Sequence, residues 1–191
     1  AAASHDCAVD VYSCRGAAGS WRRVSRCTGH SSTVGHVDWS ADGRTLQTSS
    51  AGMEVLHFEA RSGSRVLQDQ RDAEWATWTL PLGFPVMGIW PEGAGSTDLD
   101  CCDRSSSGRL VATGDDFGCV RLLNYPCVVK EPGAREYAAH SSHVKAVRFS
   151  PGDRWVLTGG GHDACAVQWR VQGAEPPAPA PAPAQPREPP N

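Results

Sequence analysis

Apolar and polar positions alternate along most of this chain in runs of five or six residues, and each run stops at a cluster of Gly, Asp, Ser or Pro. Val34, Val37 and Trp39 form one run, and Val144, Val147 and Phe149 another. Polar turns follow them, Ala41-Asp42-Gly43 and Pro151-Gly152-Asp153. Next come short stretches ending in small residues: Leu46-Gln47-Thr48-Ser49, Val111-Ala112-Thr113-Gly114 and Val156-Leu157-Thr158-Gly159. After a second turn, a third set runs Glu54 to Phe58, Cys119 to Leu123 and Ala164 to Trp169. A period of two, punctuated by residues that favour reversals, predicts strands throughout and an all-β chain.

The runs repeat in register. His30-Ser31-Ser32 opens a segment that closes at Asp42-Gly43-Arg44, and His140-Ser141-Ser142 opens its counterpart, closing at Gly152-Asp153-Arg154; both ends are 110 positions apart. A third copy enters at Ser107-Gly108-Arg109. Arg109 lies 45 positions before Arg154, about one WD40 repeat, and 65 after Arg44, which leaves roughly twenty inserted residues. The pattern predicts a WD40-type β-propeller sector of three blades plus a partial one. Residues 1–28 read as the end of a preceding blade, with Cys7 to Tyr12 its third strand and Ser20 to Cys27 its outer strand. Repeats follow at 29–68, at 69–128 with a Trp-rich insertion, and at 129–172. Propellers close with about four to eight blades, so the expectation is an open sector. Its last blade would lack an outer strand unless an upstream segment supplied one. The missing initial Met and the start in mid-pattern suggest a piece of a longer protein.

His140, Thr158, Asp163 and Trp169 stand where a WD repeat places four residues that hydrogen-bond across one blade. A buried carboxylate needs donors, and imidazole, hydroxyl and indole N–H groups provide them. The same residues could also be read as a hydrolytic triad, but recurrence across blades suits a scaffold and not a single active site. The pattern has irregularities. Gly52-Met53 replaces the turn Asp and Phe58 the Trp in the blade that begins at His30, and the stretch from Thr158 to Asp163 is one residue longer than usual. Asp115-Asp116 reads as a turn, Cys101-Cys102 alternate faces of a strand, and His140 with His143 lacks further ligands at zinc spacing. With no P-loop, G-x-S-x-G or H-E-x-x-H present, no catalytic residue, metal site or cofactor is predicted.

Composition narrows the partners. The net charge of −3 gives no bulk attraction to nucleic acid or anionic lipid. No apolar run reaches the length of a membrane span, and Ala1 to Asp10 has no secretory pattern. Eight cysteines occur without a C-x-x-C pair, and Cys119 and Cys165 lie inside strand runs. They read as buried thiols in a reducing compartment.

The inserted stretch, Arg71 to Gly93, holds Trp75, Trp78 and Trp90 and is too apolar for a free loop. Its Glu74-Trp75-Ala76-Thr77, Leu82-Gly83-Phe84 and Gly88-Ile89-Trp90-Pro91-Glu92-Gly93, with Thr28-Gly29-His30-Ser31-Ser32, Thr113-Gly114-Asp115-Asp116-Phe117-Gly118, Tyr125-Pro126-Cys127 and Gln168-Trp169-Arg170-Val171, resemble the echinoderm microtubule-associated protein-like family. The resemblance runs from about Ser4 to Val171 and implies the C-terminal part of the second of two atypical propellers. It also implies a non-catalytic module that binds tubulin or microtubules in the cytoplasm, at the interphase array or the spindle, with the upstream propeller needed. A propeller hub for a non-cytoskeletal protein is the alternative. Trp75, Trp78 and Trp90 would either pack between blades, which is favoured for at least two of them, or form a partner surface. Trp21 with Arg22, Arg23 and Arg26 is the densest basic cluster. Residues 173–191, rich in Pro and Ala, read as a disordered polyproline-like tail in which Pro183 to Pro186 gives a P-x-x-P.

Overall fold

The computed structural model describes residues 1–14, 20–90, 99–130 and 132–173. Its strands form four antiparallel sheets. The first contains β1 (Ala2–Ala3), β2 (Ala8–Ser13) and β3 (Arg22–Thr28). The second contains β4 (Val34–Trp39), β5 (Thr45–Ser50) and β6 (Val55–Glu59). The third has four strands, β7 (Leu99–Arg104), β8 (Leu110–Asp115), β9 (Cys119–Asn124) and β10 (Arg135–Ala138). The fourth has β11 (Val144–Phe149), β12 (Trp155–Gly160) and β13 (Ala166–Arg170). The all-β propeller reading therefore holds. The tail from 174 onward and residues 91–98, which include the end of the insertion, lie outside the described residues.

The sequence repeat returns as repeated geometry. The first strand of each full blade carries a register shift at its start, between Val34 and His36, Leu99 and Cys101, and Val144 and Ala146. Each then turns through a Ser whose carbonyl accepts a backbone N–H three residues on: Ser40 from Gly43, Ser105 from Gly108 and Ser150 from Asp153, all at 2.9 Å. That third residue has φ of 70°, 66° and 57° respectively, the left-handed region that Gly enters freely and Asp tolerates. Asp153 uses its side chain as well. Its carboxylate accepts the N–H groups of Ser106 (2.6 Å) and Ser107 (2.8 Å), tying the last blade to the turn of the one before it.

Three apolar clusters hold the sheets together. Val9, Val11 and Cys27 of the first sheet pack on Leu46, Leu56 and Phe58 of the second. Cys101, Ala112 and Val120 of the third sheet pack on Val144, Val147 and Val156 of the fourth. Gly114 permits that approach, because a Cβ there would lie 2.6 Å from Cβ of Val144.

The insertion builds the third cluster and spans the gap between the second and third sheets. Ala41 N–H donates to Glu74 O (2.7 Å) and Ala76 N–H to Trp39 O (2.8 Å), while Arg104 N–H donates to Trp78 O (3.1 Å). A 3-10 turn at Phe84–Val86 follows, and Cys127 N–H donates to Pro85 O (2.7 Å). Trp75, Trp78, Val86 and Ile89 are buried against Leu99, Val111, Leu123 and Cys127. Of the two readings of these tryptophans, packing between blades describes Trp75 and Trp78. Trp75 (7% exposed) and Trp78 (5%) belong to the core, because their indoles fill the space between two blades. Trp90 is half-buried, its indole N–H donating to Pro81 O (2.9 Å).

Candidate functional site

Among the described residues, polar groups inside the blades form constellations with a catalytic look. In the last blade the Trp169 indole N–H donates to Thr158 Oγ1 (2.9 Å), Thr158 Oγ1 lies 2.8 Å from His140 Nε2, and His140 Nδ1 lies 2.9 Å from Asp163 Oδ2. One proton order satisfies the whole chain. The indole gives to the hydroxyl, the hydroxyl to Nε2, and Nδ1–H to the carboxylate. The additional residue between Thr158 and Asp163 is absorbed by Gly160, where a Cβ would sit 1.8 Å from Asp163 Oδ1. Asp163 also accepts the N–H groups of Cys165 (3.2 Å) and Ser141 (3.3 Å). The Cys165 N–H bond, above all, holds its carboxyl below the usual range. Thr158 is 2% exposed, so its hydroxyl is closed to a substrate.

The second sheet holds a parallel network that the sequence reading missed. His30 Nε2 lies 2.7 Å from Thr48 Oγ1 and His30 Nδ1 lies 3.3 Å from Glu54 Oε2. Glu54, with one more methylene than Asp, reaches back from beyond Gly52-Met53. The N–H of Ser31 (2.9 Å) and the hydroxyl of Ser50 (2.9 Å) complete its shell and hold its carboxyl down at about 2. A carboxylate one turn position late, with a hydroxyl four residues before it, was the available signal. Phe58 stands in the Trp place, and Thr48 donates to Leu56 O (3.1 Å).

Two further carboxylates occupy one repeat position, one residue before the end of β4 and of β7. Asp38 is 1% exposed and accepts from Thr77 (2.5 Å), from the Thr79 N–H (2.8 Å) and hydroxyl (3.1 Å), and from Gln47 (3.2 Å). The insertion thus supplies most of the donors that make Asp38 tolerable in the interior. Asp103 receives the Phe149 N–H (2.7 Å), and burial pushes its carboxyl up to about 6.

Outside the blades, the exposed cluster on β3 is partly neutralised. Trp21 is 68% exposed, but Arg23 lies 3.5 Å from Asp10, and Arg26 pairs with both Asp10 (3.3 Å) and Asp6. Arg26 in turn holds the Asp6 carboxyl below its ordinary range. All eight cysteines are free, with Cys27, Cys101, Cys102 and Cys127 buried and Cys14 and Cys165 exposed. No group of metal-ligating side chains occurs among the described residues, and no helix among them is long and apolar enough to cross a membrane.

Residues 1–171 match a family model described as the echinoderm microtubule-associated protein second beta-propeller. The chain is 42% identical over 180 residues to echinoderm microtubule-associated protein-like 3 of Mus musculus, covering 93% of this chain and 20% of that protein. It is also 42% identical over 173 residues to the 77 kDa echinoderm microtubule-associated protein of Lytechinus variegatus, covering 90% of this chain and 26% of the relative. Echinoderm microtubule-associated protein-like 2 of Rattus norvegicus gives 42% identity over the same length, with 27% of its own chain covered. The chain therefore spans between a fifth and about a quarter of these relatives. With a match over residues 1–171 and these identities, the chain belongs to the echinoderm microtubule-associated protein-like family.

Proposed function

We propose that this propeller module is non-catalytic and contributes to binding tubulin or microtubules, in the cytoplasm and at the interphase array or spindle. The observation that carries the reading is the match of residues 1–171 to a propeller of a microtubule-associated protein family. Two features of the blades support the non-catalytic part. The His-hydroxyl-carboxylate arrangement occurs in two blades, and its hydroxyls, Thr48 (0% exposed) and Thr158 (2%), are sealed from solvent. A scaffold uses such a network to satisfy polar groups under the strands. With the upstream propeller of the longer protein present, the surface is larger and the fold complete, and binding rests on both.

The test is charge reversal at the exposed cluster. Arg22→Glu with Arg23→Glu in the longer protein is expected to weaken microtubule co-sedimentation modestly and to flatten its salt dependence, because surface charges act over about a Debye length. Unchanged affinity and unchanged salt dependence would remove this face from the binding surface.

A further inference from the structure

Each full blade leaves an arginine at the end of the turn that follows its first strand. The Ala60 N–H donates to Arg44 O (2.8 Å), the Tyr125 N–H to Arg109 O (2.8 Å) and the Val171 N–H to Arg154 O (3.0 Å), so the three hold one repeat position. All three are exposed. Their surroundings differ. Arg44 Nε lies 3.7 Å from an Asp42 carboxylate oxygen. Where that blade has Asp42, the next two have Ser107 and Gly152. Among the described residues, no carboxylate forms an ion pair with Arg109 or Arg154.

The turns that carry Arg109 and Arg154 also touch. Asp153, the one carboxylate in these two turns, is 8% exposed, and its oxygens accept the N–H groups of Ser106 and Ser107. It is thereby buried and occupied, while the arginines on either side of it stay at the surface. Consecutive Cα atoms are about 3.8 Å apart, so this contact holds the Cα atoms of Arg109 and Arg154 within about 20 Å of each other. Arg154 has the strand parity of Val156, which packs on the third sheet. Its exposure therefore does not come from the far, uncovered side of the last blade.

We propose that Arg109 and Arg154 form a binding site for a short acidic peptide segment of a partner protein. A guanidinium presents a planar fork of donors that matches a carboxylate. An extended peptide advances about 3.3 Å per residue, so roughly six residues span both arginines. Net charge selects the length and class of the occupant. A chain at −3 repels a long polyanion such as nucleic acid, whereas a short segment feels only charges within a Debye length, about 8 Å at physiological salt. The site is separate from the cluster on β3, where Arg23 and Arg26 already face Asp10 and Asp6. It does not rest on the microtubule reading, since any partner with an exposed acidic segment would meet it.

Fluorescence anisotropy of a labelled poly-glutamate peptide of about ten residues, titrated with the full chain, tests the proposal. Weak, saturable binding that declines with added salt is expected. Arg109→Gln and Arg154→Gln should each weaken it about threefold, and together about tenfold. Arg44→Gln removes the same charge from an arginine that already faces a carboxylate, and should change binding by less than about 1.5-fold. Arg109→Lys with Arg154→Lys keeps both charges and should bind within about twofold of the parent. Absence of binding, or an Arg44→Gln effect equal to that of the other two, would overturn the proposal. So would a loss in the lysine protein as large as in the glutamine protein. Tighter binding of an oligothymidylate of about ten nucleotides would overturn it as well, by assigning the surface to nucleic acid.

Discussion

Asp103 carries a carboxylate into an interface where the Phe149 N–H donates to it and the charges of Arg148 and Arg104 partly offset its burial, whereas Asp38 at the same repeat position is surrounded by donors from the insertion. Burial raises the folded-state pKa of Asp103 from 3.8 to about 6. Its contribution to stability is therefore complete below about pH 4, where both states are protonated, and is lost as pH rises through about 6. Asp103→Asn keeps an acceptor for Phe149 and carries no charge. It should stabilise the protein at pH 8 by about 1–3 kcal/mol, with the gain shrinking toward pH 4, as read by chemical denaturation at the two pH values. At His140 the expectation is opposite in sign. His140→Ala leaves the Thr158 hydroxyl without its acceptor and Asp163 without the imidazole, and should lower the melting temperature of the complete protein by a few degrees, with no associated loss of a reaction. His140, Thr158, Asp163 and Trp169 could be located from spacing because they sit at fixed offsets from the turns. Glu54 could not, because its longer side chain reaches the His from a position where the repeat has no acid.

At the level of elements, alternation and turn residues located the strands, since a half-buried strand must alternate and a reversal needs Gly, Asp or Ser. The path of the insertion was less legible. Its Trp content indicated burial, but nothing in the sequence showed that Trp75 would bridge to Ser40 or that Thr77 and Thr79 would serve Asp38. Those pairings depend on where two blades place their turns. The strap reading gives a contrast between tryptophans. Trp78→Ala should cost about 3–5 kcal/mol in unfolding free energy, since it empties the cluster between the second and third sheets. Trp21→Ala, on an exposed edge, should change stability by less than about 0.5 kcal/mol. Equal effects would mean that the insertion does not hold the blades together.

Across the whole molecule, charge argues against strong attraction of this module to an acidic partner. The net charge is −3, and the one dense basic cluster has Arg23 and Arg26 facing Asp10 and Asp6. The proposed binding to tubulin would then draw on shape and on surface shared with an upstream propeller. Microtubule co-sedimentation over a salt series, comparing residues 1–191 with the longer protein that carries that propeller, tests this most directly. The account predicts weak pelleting by residues 1–191 and stronger, salt-sensitive pelleting by the longer protein. Tight, salt-insensitive pelleting by residues 1–191 alone, or none by the longer protein, would contradict it.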